Sequence, residues 1–402
     1  MNDTRLLFAA RIVRLFAYGF LSVVLVLYLA SIGLDPNRIG WLLTLTLIGD
    51  VLVSLYLTTR ADFIGRRRTL IAGAVLMIGA GIVFAFTRDF TLLVIAATIG
   101  VISPSGNEVG PFLAIEQVAL AQTETVRDRT AVFAWYNLAG SFATAVGALC
   151  GGVLSTASSY RSAVVTYALL GLVLGAIFVK LSPVVEAAST TSFGVRRSRG
   201  VVARLSALFA LDSFAGGLVV QSIVAYWFFR RFGVSPAVIG AIFFGANLLA
   251  GVSALAAAAI ARRIGLVNTM VFTHLPSNVL LVLVPFMPTL PLAVAVLLIR
   301  FSISQMDVPT RQSYLMAVVD ESERTAAAGV TGVARTTGAA LAPVLAVPVI
   351  ASSHHWLPFV AAGVLKIVYD LLLLWSARPL TRSRAAGPPS PRLRGEGRGE
   401  GP

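Results

Sequence analysis

The chain has 402 residues, of which 57% are hydrophobic and 12% charged, with a formal net charge of +14. That balance excludes a water-soluble domain and marks a polytopic membrane protein. The basic residues are scattered among short loops instead of gathered on one face, which argues against nucleic acid, and a single cysteine, Cys150, excludes a disulfide framework.

In chain order, apolar runs long enough to cross a bilayer fall at about 7–31, 38–59, 69–87, 91–117, 130–155 and 160–181. The first follows Arg5 in the manner of a signal peptide. It carries Arg11 and Arg14 and lacks a small-residue cleavage site, so it is predicted to be a spanning helix. A polar stretch runs from Pro183 to Arg204, and six more runs follow at about 205–229, 236–260, 268–288, 290–317, 325–351 and 356–377. Beyond Arg378 the composition turns to Pro, Gly, Ser, Arg and Glu, which cannot bury a core. The expected organisation is an all-α polytopic protein of twelve transmembrane helices. It comprises a six-helix bundle over 1–182, a cytoplasmic linker over 183–204, a second six-helix bundle over 205–378 and a disordered cytoplasmic tail over 379–402.

Orientation follows from the loop Asp62-Phe63-Ile64-Gly65-Arg66-Arg67-Arg68 between the second and third runs. Its charges belong at the membrane surface, Gly65 allows the sharp reversal, and short Arg-rich loops stay cytoplasmic. With the N-terminus inside, only Arg38, Arg88, Arg161, Arg230 and Arg231 of the 32 Lys and Arg residues fall in outer loops. A plasma-membrane protein with both termini cytoplasmic is therefore expected.

This loop resembles the signature Gly-x-x-x-Asp-Arg/Lys-x-Gly-Arg-Arg/Lys of the major facilitator superfamily. Asp62, Gly65, Arg66 and Arg67 match, whereas Thr58 and Phe63 depart from the pattern. The resemblance implies two pseudo-symmetric six-helix bundles and a cytoplasmic gating role for the four matching residues. A shift of 200 positions pairs Gly33 with Gly233, Pro36 with Pro236, Gly40 with Gly240, Gly65 with Gly265 and Thr69 with Thr269, as a duplicated transporter requires. In the fifth span, Gly147-Ala148-Leu149-Cys150-Gly151-Gly152 is similar to the Gly-Pro-x-x-Gly-Gly core of antiporting members, with Ala148 replacing the proline.

Twelve ionisable residues fall within the predicted spans: Arg11, Arg14, Asp50, Glu108, Glu116, Asp212, Arg300, Asp307, Arg311, Arg335, Lys366 and Asp370. Each costs about 2.5–3.5 kcal/mol at mid-bilayer, so they must pair, face the interior or sit near helix ends. Spacing four apart predicts the pairs Lys366 with Asp370 and Asp307 with Arg311. Arg11, Arg14, Glu116 and Arg311 are expected toward the cytoplasmic ends, where they can snorkel. The fourth and tenth spans are both interrupted, at Ser103-Pro104-Ser105-Gly106-Asn107-Glu108-Val109-Gly110-Pro111 and at Gln305-Met306-Asp307-Val308-Pro309. Paired interruptions point to a transport site. Glu108 and Asp307, with Asn107 and Gln305 beside them, are expected to bind substrate or a coupling proton, with Asp50, Asp212 and Arg300 as further candidates.

The predicted function is secondary active transport of a small organic solute by alternating access, proton-coupled and directed outward. No nucleotide-binding loop, cofactor or metal site is expected; His274 is read as packed or hydrogen-bonded. The partners are a small-molecule substrate, protons and the lipid bilayer, and the chain is expected to be a monomer. An integral-membrane enzyme using Glu108 or Asp307 as acid or base, and a sensor on the same scaffold, remain open alternatives at this point.

Overall fold

The computed structural model describes residues 3–123, 129–157, 159–182, 197–320 and 323–385, and among them there is no strand. In the first half, α1 (Asp3–Ser31), α2 (Pro36–Ile64) and α3 (Arg66–Phe86) are continuous spans. The fourth span is split into α4 (Phe90–Ile99) and α5 (Phe112–Thr123), and α6 (Arg129–Ala157) and α7 (Tyr160–Val179) complete this half. In the second half, α8 (Arg199–Gly217) with α9 (Gln221–Phe232) forms the first span, followed by α10 (Pro236–Ile264) and α11 (Leu266–Leu283). The tenth span is α12 (Leu290–Ser304) with α13 (Asp307–Val318), the eleventh is α14 (Arg324–Ala340) with α15 (Pro343–Ala351), and α16 (Leu357–Ala385) is the last. Among the described residues eleven segments are long and apolar enough to cross a bilayer, and the broken fourth span, with the shorter apolar helix Phe90–Ile99, is consistent with twelve.

Helix α8 begins at Arg199, inside the predicted linker, and α16 continues to Ala385, past the predicted start of the tail. The remainder of both stretches, 183–196 and 386–402, lies outside the described residues.

The 200-residue repeat is written into the helix boundaries. Helices α2 and α10 both begin with proline at their first position, after Asp35 and Ser235, whose side chains accept the free N–H groups of the first turn. They end at Gly65 and Gly265, with φ of +100° and +86°, a backbone that side chains other than glycine's rarely tolerate. After each glycine the same cap recurs: Thr69 Oγ1 donates to the Gly65 carbonyl at 2.9 Å, and Thr269 Oγ1 to that of Gly265 at 2.8 Å.

The two halves share an apolar core at one end and not at the other. One continuous apolar core unites the first half with the part of the second nearest Gly233, including Phe228, Phe243, Ala346 and Phe359. At the Gly265 end the second half has a separate core around Leu205, Phe209, Met270, Tyr314 and Leu373. The joint is made by α6 on α10, α2 on α15 and α14, and α1 on α9. At its tightest point a β-carbon on Gly152 would lie 2.2 Å from the Pro236 carbonyl oxygen, so only glycine permits this approach.

Candidate functional site

The break in the fourth span arises because Pro104 and Pro111 remove backbone donors while Gly106 and Gly110 take φ of +71° and +81°. Backbone groups freed this way survive inside a membrane only if protein satisfies them. Here they are satisfied from four directions. Tyr18 Oη donates to the Val109 carbonyl at 3.2 Å and Tyr167 Oη to that of Val101. Asp50 accepts from the Gly110 N–H at 2.6 Å, and the Ser222 N–H of the other half donates to the Pro104 carbonyl at 3.1 Å. The tenth span departs from helix only at Gln305 and Met306. Pro309 is the third residue of α13, where its missing N–H is one that a helix leaves unpaired anyway. The two interruptions are therefore unequal. Two further breaks, between α8 and α9 and before Pro343, were not anticipated from the sequence.

The fourth-span break delivers Glu108 to two arginines of α1. Arg11 Nη1 bonds Glu108 Oε2 at 2.7 Å, and Arg14 Nε bonds Oε1 at 2.7 Å. Arg14 also forks onto Glu116, with Nη1 to Oε1 at 2.5 Å and Nη2 to Oε2 at 2.7 Å, the bidentate geometry a guanidinium favours. Tyr136 Oη donates to the same carboxylate. Arg14 and Glu116 are fully enclosed. The expectation that Arg11, Arg14, Glu116 and Arg311 snorkel to an aqueous end is thus corrected: all four are buried and paired inside the protein. Snorkelling is excluded for Arg14 because Glu108 of the break and Glu116 of α5 give it a full set of partners inside the protein.

In the second half Asp212 of α8 is the hub. It accepts from Lys366 Nζ of α16 at 2.6 Å and Arg311 Nη1 of α13 at 3.1 Å. Asp307 holds Arg311 at 2.9 Å, as their spacing predicts. Lys366 with Asp370 is a correction: Lys366 reaches across to Asp212, and Asp370 is occupied by α11 instead. Its two oxygens meet His274 Nδ1 and Asn278 Nδ2, each at 2.9 Å. His274 is accordingly hydrogen-bonded in the interior, with Nε2 3.9 Å from Asp212.

Once these pairs are drawn, three ionisable groups are left with no ionisable partner, and Asp370 has only His274. Asp50 is buried and bonded only to the Gly110 N–H and to Ser54 Oγ, with no cation against it among the described residues. Arg300 and Arg335 lie within electrostatic reach of Asp212 and Asp307, yet neither forms an ion pair among the described residues. Each leaves a buried Nε without a hydrogen-bond partner. Counted over the in-span residues, the first half therefore holds one surplus acid and the second one surplus cation.

The remaining predicted residues fall as follows. Asn107 is exposed on the break and Gln305 is half-buried at the shorter one. Gly65 forms the turn, Arg66 is buried, and Arg67 donates to the Val179 carbonyl at the end of α7. The side chain of Asp62 lies outside the described residues. The sequence reading missed a polar bridge between the halves, in which Gln221 Nε2 donates to Ser22 Oγ at 2.9 Å and Asn247 Nδ2 donates to Gln221 Oε1 at 3.2 Å. The available signal was a pair of uncharged polar residues, Ser22 and Gln221, at nearly the repeat offset.

A family model described as Major Facilitator Superfamily matches residues 7–343. Uncharacterized membrane protein YJR124C of Saccharomyces cerevisiae is 29% identical over 417 residues, covering 92% of this chain and 93% of that protein. Among solved structures, the human organic anion transporter MFSD10 (TETRAN) aligns with a TM-score of 0.62 at 17% identity, over 92% of this chain and 99% of its own. A D-xylose-proton symporter aligns with a TM-score of 0.72 at 15% identity, over 92% and 96%. At these identities the two structures speak for the fold alone.

Proposed function

The chain belongs to the Major Facilitator Superfamily, and on that premise we propose that it is a proton-coupled transporter of a small organic anion, working by alternating access. The observation that carries this reading is the residue left over after pairing in each half. A buried carboxylate whose protonation breaks no ion pair can load and release a proton, and Asp50 is that group. Guanidinium groups with unmet donors attract oxygen anions, and Arg300 and Arg335 supply them. Glu108 and Asp307, first in line on sequence grounds, become positioning groups, because both are held in ion pairs: Glu108 is the one carboxylate against buried Arg11, and Asp307 shares Arg311 with Asp212. A transporter of the same fold, the human MFSD10, is named for organic anions.

In this reading the halves rock about the bridge Ser22–Gln221–Asn247, and the structure corresponds to the state open toward the Gly65 and Gly265 loops. The basic-residue distribution supports that side as the cytoplasmic one, and in this reading the host membrane is the plasma membrane. Export is the direction assigned, on the resemblance of Gly147 to Gly152 to the antiporter motif, and the transporter acts as a monomer without a cofactor. The test is flux in proteoliposomes. Asp50→Asn should abolish accumulation driven by a pH gradient while preserving exchange of labelled for unlabelled anion, and unchanged gradient-driven accumulation would refute the assignment.

A further inference from the structure

A cavity of about 530 Å³ opens at the Gly33 end of the first half, far along α1 from the buried charge pairs. Its wall carries Arg88, which follows α3, and Arg161, in the first turn of α7. Among the described residues no carboxylate pairs with either. The neighbouring Asp89 is committed to capping α4 through the Leu92 N–H at 2.9 Å. Ser159, also in the wall, caps the 20-residue helix α7, its side chain accepting from the Ser162 N–H. A third feature is independent of charge: Ser155 lines the cavity, is 7% exposed, and its hydroxyl has no hydrogen-bond partner. An orphaned hydroxyl and two guanidiniums without a carboxylate around one cavity are donors lacking an acceptor.

The rim is apolar. Phe86 is 73% exposed at the end of α3, and the Arg161 guanidinium stacks on its ring at 4.9 Å. One wall is Pro236 of the second half, whose carbonyl abuts Gly152 at the joint. The cavity in this form thus exists only while the halves are closed at this end.

We propose that this cavity is a second binding site, taking the phosphate of an anionic amphiphile whose apolar body lies against Phe86, and that its occupant favours the state closed at the Gly33 end. Phosphate supplies the several acceptor oxygens that the donors need, and the volume suits a headgroup. An anionic phospholipid and a free phosphate ester share this chemistry.

The full chain in detergent is examined by native mass spectrometry with phosphatidylglycerol, with phosphatidylcholine of the same acyl chains, and with glycerol phosphate as competitor. The expected result is one phosphatidylglycerol retained at least tenfold more tightly than phosphatidylcholine, with that preference lost in the double variant Arg88→Gln, Arg161→Gln. Displacement by glycerol phosphate would support a soluble ester as occupant, and resistance to it would support the lipid. Equal retention of the two lipids, or equal retention of phosphatidylglycerol by wild type and double variant, would overturn the proposal. Should the double variant not fold, Ser155→Ala, which removes one hydroxyl and no charge, must weaken phosphatidylglycerol binding about threefold, and unchanged binding overturns the proposal.

Discussion

Gly152 of α6 and Gly240 of α10 meet across the joint between the halves, so closely that a β-carbon on Gly152 would stand 2.9 Å from the Gly240 Cα. Backbone has no rotamer with which to yield, so the clash can be relieved only by moving α6 away from α10. Gly152→Ala is therefore expected to shift the population away from the state closed at the Gly33 end. Spin labels on cysteines at the exposed positions Asn37 and Arg231, in a Cys150→Ala background, should report a longer interhelical distance in the variant than in the parent. An unchanged distance distribution would refute the gate.

Removing Arg14 leaves Glu116 fully enclosed without its cation, while Glu108 keeps Arg11. Arg14→Met is expected to destabilise the chain by about 3–5 kcal/mol, the cost typical of breaking a buried pair. Adding Glu116→Gln should recover part of the loss, because the amide no longer demands a counter-charge. Unfolding in mixed micelles by SDS titration measures both. A snorkelling arginine would instead give a change within about 0.5 kcal/mol, as exposed substitutions do.

The second half offers a contest between spacing and geometry. A double-mutant cycle on Lys366→Met and Asp212→Asn should yield a coupling energy of about 1–3 kcal/mol, whereas the cycle on Lys366→Met and Asp370→Asn should stay near 0.5 kcal/mol or below. The reverse order would restore the i,i+4 pair that the sequence suggests.

Much of the architecture was legible in the sequence because it is encoded locally. Span length, the Pro36 and Pro236 starts, the Gly65 and Gly265 stops and the broken fourth span each need only a short window of residues. The pairing of charges was not legible. Arg14 and Glu116 are 102 positions apart and Lys366 and Asp212 are 154 apart, so no periodicity brings them together. Local spacing did find Asp307 with Arg311, but for Lys366 the same rule lost to a carboxylate on another helix. The site reading moved for the same reason. Glu108 and Asp307 looked like the working acids until their arginine partners were seen, and Asp50 gained weight because its surroundings contain only neutral donors.

The central claim is that the unpaired groups, rather than the paired ones, do the transporting, and that two of them are cations awaiting an anion. The most direct measurement is uptake into proteoliposomes of labelled anionic, neutral and cationic solutes of matched size, for wild type and for Arg300→Gln, Arg335→Gln. The account expects anions to be carried by the wild type and their flux to fall at least tenfold in the double variant. Transport confined to neutral or cationic solutes, or anion flux indifferent to both arginines, would contradict it.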